Sequence, residues 1–232
     1  MLNESTKELK RLFAEQAVRV ESMVRNSIEA LLKKDEKLAA DIIEVQEPEC
    51  NRAEMVISAK IAEIIALYCP RAREMRYMMA IIQANTDLER VGDLAVNIAQ
   101  CAQYLIPRRP VKPLIDIPRM AHVAADMVRD ALKAFLEESL ELSNTVLERD
   151  NMVDDLEEQV IRELTTYMAS DLSTIERAMR LIFIAKNIER IADLATNVAE
   201  DTIYYLTGKD IRHPAEREDK EAKDVNQENS GS

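Results

Sequence analysis

The sequence predicts an all-α protein built from two tandem three-helix bundles. Strand and turn formers are scarce, since 4% of the 232 residues are aromatic and three are glycine, while 47% are hydrophobic. Such a composition favours long helices around a sizeable core. Two further observations support the prediction: an internal duplication, and helix-capping residues at corresponding places in both halves.

The duplication gives the number of bundles. The segment 23–32 (MVRNSIEALL) matches 127–136 (MVRDALKAFL) at an offset of 104. The segment 87–100 (DLERVGDLAVNIAQ) matches 187–200 (NIERIADLATNVAE) at an offset of 100, and seven of the fourteen positions are identical. A third, acidic segment lies between these two in each half. Each half therefore has three matched segments in the same order, which predicts three helices per half.

Local signals predict where the helices begin. The tetrapeptides 5–8 (STKE) and 173–176 (STIE) have the spacing of a capping box, in which the two end residues each satisfy a free backbone donor. Asp35 and Ser139 are predicted to cap the middle helices. Pro48 falls inside the second predicted helix, where it should kink the helix or delay its start.

Composition shifts predict the domain boundaries. Residues 1–106 are predicted to form the first bundle, and 107–118 a semi-stiff linker within the proline-rich phrase IPRRPVKPLIDIP. Residues 119–208 are predicted to form the second bundle. The segment 209–232 has almost no apolar residues and cannot repay the entropy of folding, so most of it is predicted to be a disordered tail.

The charge balance limits the classes of partner. The chain has 31 basic and 43 acidic residues, and its net charge of -12 argues against nucleic acid or anionic lipid as a partner. The chain contains no apolar run of about eighteen residues and its N-terminus has no apolar signal segment, so we expect a cytoplasmic protein without membrane insertion. The three cysteines show no CxxC spacing and are expected to be reduced core residues: Cys50, Cys69 and Cys101.

The third helix of each half has a sharp division between an apolar and a polar face. In the first half, the residues expected to face the core are Leu88, Val91, Ala95, Ile98 and Ala102. Opposite them runs a line of residues spaced by four: Glu89, Asp93 and Asn97 in the first half, and Glu189, Asp193 and Asn197 in the second. Side chains at this spacing stack along one side of a helix, here its outward side.

This line suggests a metal site. Like charges one turn apart cost a helix roughly 0.2–0.5 kcal/mol per pair, which invites a counter-charge. The second helix of each half offers further carboxylates: Glu47 and Glu54 in the first half, and Asp150, Asp154 and Glu157 in the second. Oxygen-only ligands suit magnesium, manganese, calcium or ferric iron. The alternative is an ordinary solvated face, partly neutralised by Arg90 or Arg190.

The duplicated phrases resemble the PhoU family of phosphate-signalling regulators. The resemblance covers roughly residues 5–208, and its signature is a Glu or Asp, three residues, then Asp, within phrases similar to LERIGDxAxNIAE. The phrases at 70–76 (PRAREMR) and 207–213 (TGKDIRH) are also similar to phrases of the family.

The resemblance implies a fold and a function. It implies two tandem three-helix bundles and a non-enzymatic homodimer that negatively controls the phosphate-starvation response. The implied partners are a sensor histidine kinase and the ATPase of a phosphate ABC transporter. The implied cofactors are divalent or trivalent metal ions, namely iron, manganese, magnesium or zinc, bound at the acidic motifs.

The sequence departs from the family pattern at two places. Many relatives have His directly after the motif Asp, whereas this chain has Leu94 and Leu194, so any imidazole ligand is lost there. Gly92 of the first copy is replaced by Ala192 in the second, which should favour the helix by up to about 1 kcal/mol.

Other functions fit the sequence less well. A ferritin-like di-metal oxidase needs inward-facing carboxylates and Glu-x-x-His pairs, but three positions before His122 and His213 stand Arg119 and Asp210. A nucleotide-binding enzyme would need a glycine-rich loop, which is missing. A metal-free helical adaptor remains the alternative. The basic segments 71–76 and 108–112 are either solvated charge or contacts for an acidic partner or an anion.

Overall fold

The computed structural model describes residues 2–211, and within this range it contains seven α-helices and no strand. The helices are α1 (Leu2–Lys33), α2 (Glu36–Asp41), α3 (Glu47–Tyr68), α4 (Arg73–Leu105), α5 (Asp116–Glu137), α6 (Leu140–Ser170) and α7 (Ile175–Thr207). A π-helical turn (Ile42–Gln46) joins α2 to α3, and a 3₁₀ turn (Leu172–Thr174) precedes α7. Most of the predicted disordered tail lies outside the described residues, and so does His213.

The helices form the two predicted bundles. In the first bundle α1, α3 and α4 pack on one another, and in the second α5, α6 and α7 do the same. The prediction of an all-α fold with two tandem three-helix bundles is confirmed. None of the helices within residues 2–211 is long and apolar enough to cross a membrane.

The two bundles also pack closely against each other. α4 lies along α7, and α1 lies along α5, so these four helices surround a shared core while α3 and α6 lie outside it. α4 and α7 are antiparallel, because Tyr77 near the start of α4 packs on Tyr205 near the end of α7, with ring centroids 5.3 Å apart. At the opposite end, the hydroxyl of Tyr104 donates to Glu176 at 2.6 Å. The two copies of the duplicated phrase therefore lie side by side at the middle of the molecule.

The core face of α4 is broader than the periodicity predicts. All five residues expected to face the core are buried, and Gly92, Ala99 and Cys101 are buried as well. The additional buried residues follow from the number of neighbours, since α4 contacts α1, α3 and α7. Cys50 is also buried, but Cys69 is exposed. The expectation of a core position was wrong for Cys69, because it ends α3 in the left-handed conformation with φ 46°.

The helix starts were partly predicted. The side chain of Asp35 accepts the backbone N–H groups of Lys37 and Leu38, both at 3.0 Å, and that of Ser139 accepts the N–H of Leu142 at 3.2 Å. Both predicted caps are confirmed.

Neither capping-box prediction is correct. Helix α1 already begins at Leu2, which places the tetrapeptide 5–8 inside the helix. At the other tetrapeptide, Asp171 accepts the backbone N–H of Ser173 and begins the 3₁₀ turn, so a stronger acceptor two residues earlier takes the capping position.

Pro48 is accommodated by the π turn. It occupies one of the first two positions of α3, directly after the turn, where its missing N–H matters least. Within the turn the N–H of Glu47 bonds to the carbonyl of Ile42, five residues back. The wider turn avoids the clash that a proline ring makes with the carbonyl four residues earlier in a regular α-helix.

The segment between α4 and α5 is fixed to the second bundle. Lys112 is buried, and its ammonium group donates to Glu163 on α6 and, at 3.4 Å, to Asp116. The carbonyl of Arg109 accepts a hydrogen bond from Arg177 of α7 at 2.6 Å. Lys112 therefore does not contribute to the exposed basic surface that the sequence indicated at 108–112.

Candidate metal centres

The first acidic face is formed by α3 and α4. Glu89 is half-buried and Asp93 is exposed on α4, while Glu47 and Glu54 approach them from α3. Burial raises the pKa of Glu89, and the neighbouring charges of Asp93 and Glu54 raise it further. Burial and the charge of Glu47 raise the pKa of Asp93. The structure thus brings together the four carboxylates that the sequence predicted for this half.

Two amide side chains complete this face. Asn51 donates to Glu47 at 2.7 Å, and its own Oδ1 is buried without a hydrogen-bond partner. Asn85 is fully buried on α4 and donates to the carbonyl of Glu54 at 3.1 Å and to Ser58 at 3.2 Å, while its Oδ1 also has no partner. A buried acceptor without a partner is costly, so each oxygen is a place where a cation or a water would be favourable.

Asn85 was not predicted from the sequence. The sequence pattern that could have predicted Asn85 is its position four residues before Glu89, which extends the line of residues spaced by four. It was overlooked because an uncharged side chain gives no repulsion for a cation to relieve.

The second acidic face is formed by α6 and α7. Burial raises the pKa of Glu189 to about 7, and the charges of Asp193 and Glu157 add to this effect. Burial and the charges of Asp154 and Asp193 raise the pKa of Asp150, whose Oδ1 is buried and has no hydrogen-bond partner. The pKa of Asp154 is raised by burial and by Asp193. The five predicted carboxylates of this half are therefore joined in one cluster by the electrostatic interactions between neighbouring members.

The two faces are not equivalent. Asp154 in the second face corresponds to Asn51 in the first, and Ala185 corresponds to Asn85. The second face therefore has one more carboxylate and two fewer amides at these positions. Stronger mutual repulsion is the consequence, in agreement with the large rise in the pKa of Glu189.

The acidic faces form no ion pairs with basic side chains within the described residues, although the charge of Arg90 offsets part of the rise in the pKa of Glu89. Within residues 2–211, no ion pair involves any of the nine predicted ligands, whereas many other acidic residues of the chain are paired. Arg90 bonds to Asp87 at 3.2 Å rather than to Glu89. The interpretation of the line as an ordinary face balanced by Arg90 is therefore weakened.

The chemistry of these residues suits a cation, but their present arrangement does not yet form a binding site. Clustered carboxylates with raised pKa values and unpartnered buried oxygens suit a hard cation. In the part of the chain that the structure describes, however, no three His, Cys, Asp or Glu side chains converge closely enough to hold a metal ion as they stand. Binding would therefore require the side chains to rotate inward against their mutual repulsion.

Among the described residues, histidine does not contribute to either face. Leu94 and Leu194, at the positions after the motif aspartates, pack against the core. His122 lies on the surface of α5, where its ring is 3.4 Å from Asp126. This outward position does not provide the inward-facing Glu-x-x-His ligand of a ferritin-like oxidase.

The chain is similar to known proteins over most of its length. The family model described as PhoU domain matches the chain twice, at residues 13–102 and 117–202. The chain is 35% identical to "Phosphate-specific transport system accessory protein PhoU homolog 2" of Thermotoga maritima over 209 residues, covering 90% of this chain and 88% of the relative. It is 37% identical to the PhoU homologue of Aquifex aeolicus over 203 residues, covering 86% of this chain and 91% of that protein. The crystal structure of PhoU from Pseudomonas aeruginosa superposes with a TM-score of 0.86 at 30% identity, covering 90% of this chain and all of that one.

Proposed function

The chain belongs to the PhoU domain family, and on that premise we propose that it regulates phosphate uptake in the cytoplasm by binding other proteins. The relatives are named as accessory proteins of phosphate-specific transport, not as enzymes, which agrees with the expectation that this chain is not an enzyme. Its partners are a sensor histidine kinase and the ATPase of a phosphate ABC transporter. By contacting both, it keeps the phosphate-starvation response off when phosphate is abundant.

Metal ions at the two acidic faces are the second part of the proposal. The observation that carries it is that nine carboxylates, grouped in two corresponding places, have no basic partner within residues 2–211. Glu89 and Asp93 with Glu47 and Glu54 would hold a cation in the first face. In the second face the ligands would be Glu189, Asp193, Asp150, Asp154 and Glu157. The oxygen donors suit magnesium, manganese or ferric iron. Zinc is included among the proposed divalent or trivalent ions because of the family resemblance.

The cation would supply positive charge and a cross-link. In each face the ligands come from two helices, so a bound ion would join α3 to α4 or α6 to α7. It would also replace mutual repulsion among the carboxylates by attraction. Each outer helix would then be held more firmly against its bundle.

Elemental analysis tests the metal. The wild-type chain, purified without chelator, is compared with a variant that removes the charge but keeps the shape of four ligands: Glu89→Gln, Asp93→Asn, Glu189→Gln and Asp193→Asn. We expect metal in the wild type and little in the variant. The control removes four exposed acids outside the faces: Glu36→Gln, Glu137→Gln, Glu141→Gln and Glu148→Gln. Equal metal content in all three proteins would contradict the proposal.

A transcriptional reporter tests the regulation. Deleting the gene should switch on a phosphate-starvation reporter in high-phosphate medium, and a plasmid copy should restore repression. If the reporter stays silent in the deletion strain, the chain does not restrain this response.

A metal-free helical adaptor is the second candidate function. It is favoured by the lack of a preformed group of three ligands within the described residues. The ligand-removal variant separates the two functions, because an adaptor without metal would restore repression fully after losing all four ligands. A homodimer is expected for either function, and sedimentation equilibrium would measure it.

A further inference from the structure

One end of α7 carries an apolar surface with a basic border. Four large apolar residues are exposed there, with relative exposures of 75%, 40%, 38% and 47%: Leu172, Ile175, Met179 and Phe183. Ile175, Met179 and Phe183 are spaced by four and therefore lie along one side of α7 over about 12 Å. Soluble proteins expose single apolar residues routinely, but contiguous ones mark a surface of interaction.

The border of this surface carries more positive than negative charge, because its cations outnumber the two exposed acids nearby, Asp171 and Glu176. Arg180 and Arg108 both lie over the ring of Tyr104 on α4, at 4.9 Å and 3.6 Å from its centroid. Lys186 is exposed one turn beyond Phe183. None of these three cations has an ion-pair partner within residues 2–211. We call the four apolar residues and these three cations the α7 surface.

The duplication shows which members of the α7 surface are special to the second bundle, since Ile175 and Met179 still correspond to apolar residues, Met75 and the exposed Met79. At the offset of 100 that relates α4 to α7, Phe183 corresponds to Gln83 and Lys186 to Thr86. Arg180 corresponds to Ala80, which is buried. The first bundle folds in the same way without these residues, so their apolar and basic character in the second bundle serves another purpose.

We propose that the α7 surface binds an acidic amphipathic helix of a partner protein. The apolar line would take the apolar anchors of that helix, which recur at intervals of three and four residues. The cations at the border would pair with its carboxylates. Charge complementarity selects such a partner, because this basic patch stands out on a chain with a net charge of -12, which would repel acidic segments elsewhere. The inference rests on the proposed function, since it names the surface through which regulation by binding would operate.

The test measures binding of the purified full-length chain to the transporter ATPase and to the detergent-solubilised kinase by biolayer interferometry. We expect at least one partner to bind and its dissociation constant to rise by on the order of tenfold between 50 and 300 mM NaCl. Two variants, Phe183→Gln and the pair Arg180→Gln with Lys186→Gln, should each weaken binding by about tenfold. The matched controls, Leu67→Gln and Arg52→Gln, alter exposed residues on α3 and should bind like the wild type.

Other binding results would separate the inference from the proposed function. If a partner binds but the α7 variants bind it equally well, the inference is overturned while the proposed function stands. Weakening by Phe183→Gln alone, without any effect of salt or of the charge variants, excludes an acidic partner. If neither partner binds the wild type, the proposed function fails. The inference is then decided by measuring how the wild type and the same variants bind a synthetic amphipathic peptide with one leucine face and one glutamate face. If Phe183→Gln instead converts a dimer to a monomer in sedimentation equilibrium, the occupant is a second copy and the inference is wrong.

Discussion

Glu189 should make the second bundle less stable at neutral and alkaline pH when no metal is present. Its folded-state pKa is raised from the ordinary 4.5 to about 7 by burial and by the charges of Asp193 and Glu157. Between these two pH values the folded chain holds a proton that the unfolded chain has lost, so the free energy of unfolding falls as the pH rises through this window. Replacing Glu189 by Gln removes the charge and should stabilise the chain above pH 7.

The size of the effect follows from the shift in pKa. At face value the shift corresponds to ~3 kcal/mol. Because the side chain is half-exposed, solvent screening reduces the expected stabilisation to ~1–2 kcal/mol at pH 8. The difference between the variant and the wild type should approach zero near pH 4, where Glu189 is protonated in both the folded and the unfolded state.

Urea unfolding followed by circular dichroism measures this effect. The experiment is run in EDTA at pH 8 and near pH 4, with Glu141→Gln, an exposed change on α6 outside the acidic face, as the control. Adding manganese at pH 8 should stabilise the wild type and should stabilise Glu189→Gln less, because the variant has lost one proposed ligand. The reasoning is refuted if Glu189→Gln is no more stable than the wild type in EDTA at pH 8.

Further predictions concern packing and capping. Gly92→Ala should destabilise the fold by ~1 kcal/mol, although alanine has the better helix propensity, because the new Cβ would lie 3.0 Å from the buried Sγ of Cys50. Thermal unfolding should show that a second substitution, Cys50→Ala, restores the lost stability. Tyr77→Phe should leave stability unchanged or raise it by up to ~1 kcal/mol, since the buried hydroxyl has no hydrogen-bond partner; a clear loss in urea unfolding would reveal a partner such as a bound water. Asp35→Ala and Ser139→Ala should each cost ~1 kcal/mol of unfolding free energy, because each removes the acceptor at a helix start; equal stability of the alanine variants would show that solvent caps these helices as well.

Periodicity and duplication were sufficient to predict the bundles. Leu88, Val91 and Ala95 are buried as predicted because the apolar face of a helix must pack against something, whatever that partner is. The packing of α4 along α7 could not be predicted in the same way. It buries Cys101, whose thiol lies beside Arg180 of α7, a contact that periodicity alone does not assign.

The acidic faces were predicted in outline only. Spacing by four placed Glu89 and Asp93 on one line, and the duplication added Glu189 and Asp193. The rise in the pKa of Glu189 comes first from burial, then from the charge of Asp193 on α7 and from that of Glu157 on α6, so α7 alone predicts only part of it. Unpartnered oxygens such as that of Asp150 are likewise visible only once the surrounding side chains are placed.

The π turn before Pro48 sets the rotational phase of everything that follows it in α3. Five residues of a π turn rotate the chain by about as much as four residues of an α-helix, so the turn absorbs one extra residue without changing the direction of the later side chains. Deleting one residue from Ile42–Gln46 should therefore leave Glu47 and Glu54 beside their neighbours on α4, whereas the same residues wound as a regular α-helix would turn both side chains about 100° away. Helix α6 reaches the corresponding position of Asp150 without any such insertion. The same acidic arrangement is therefore reached in one half by an uninterrupted helix and in the other by an inserted residue.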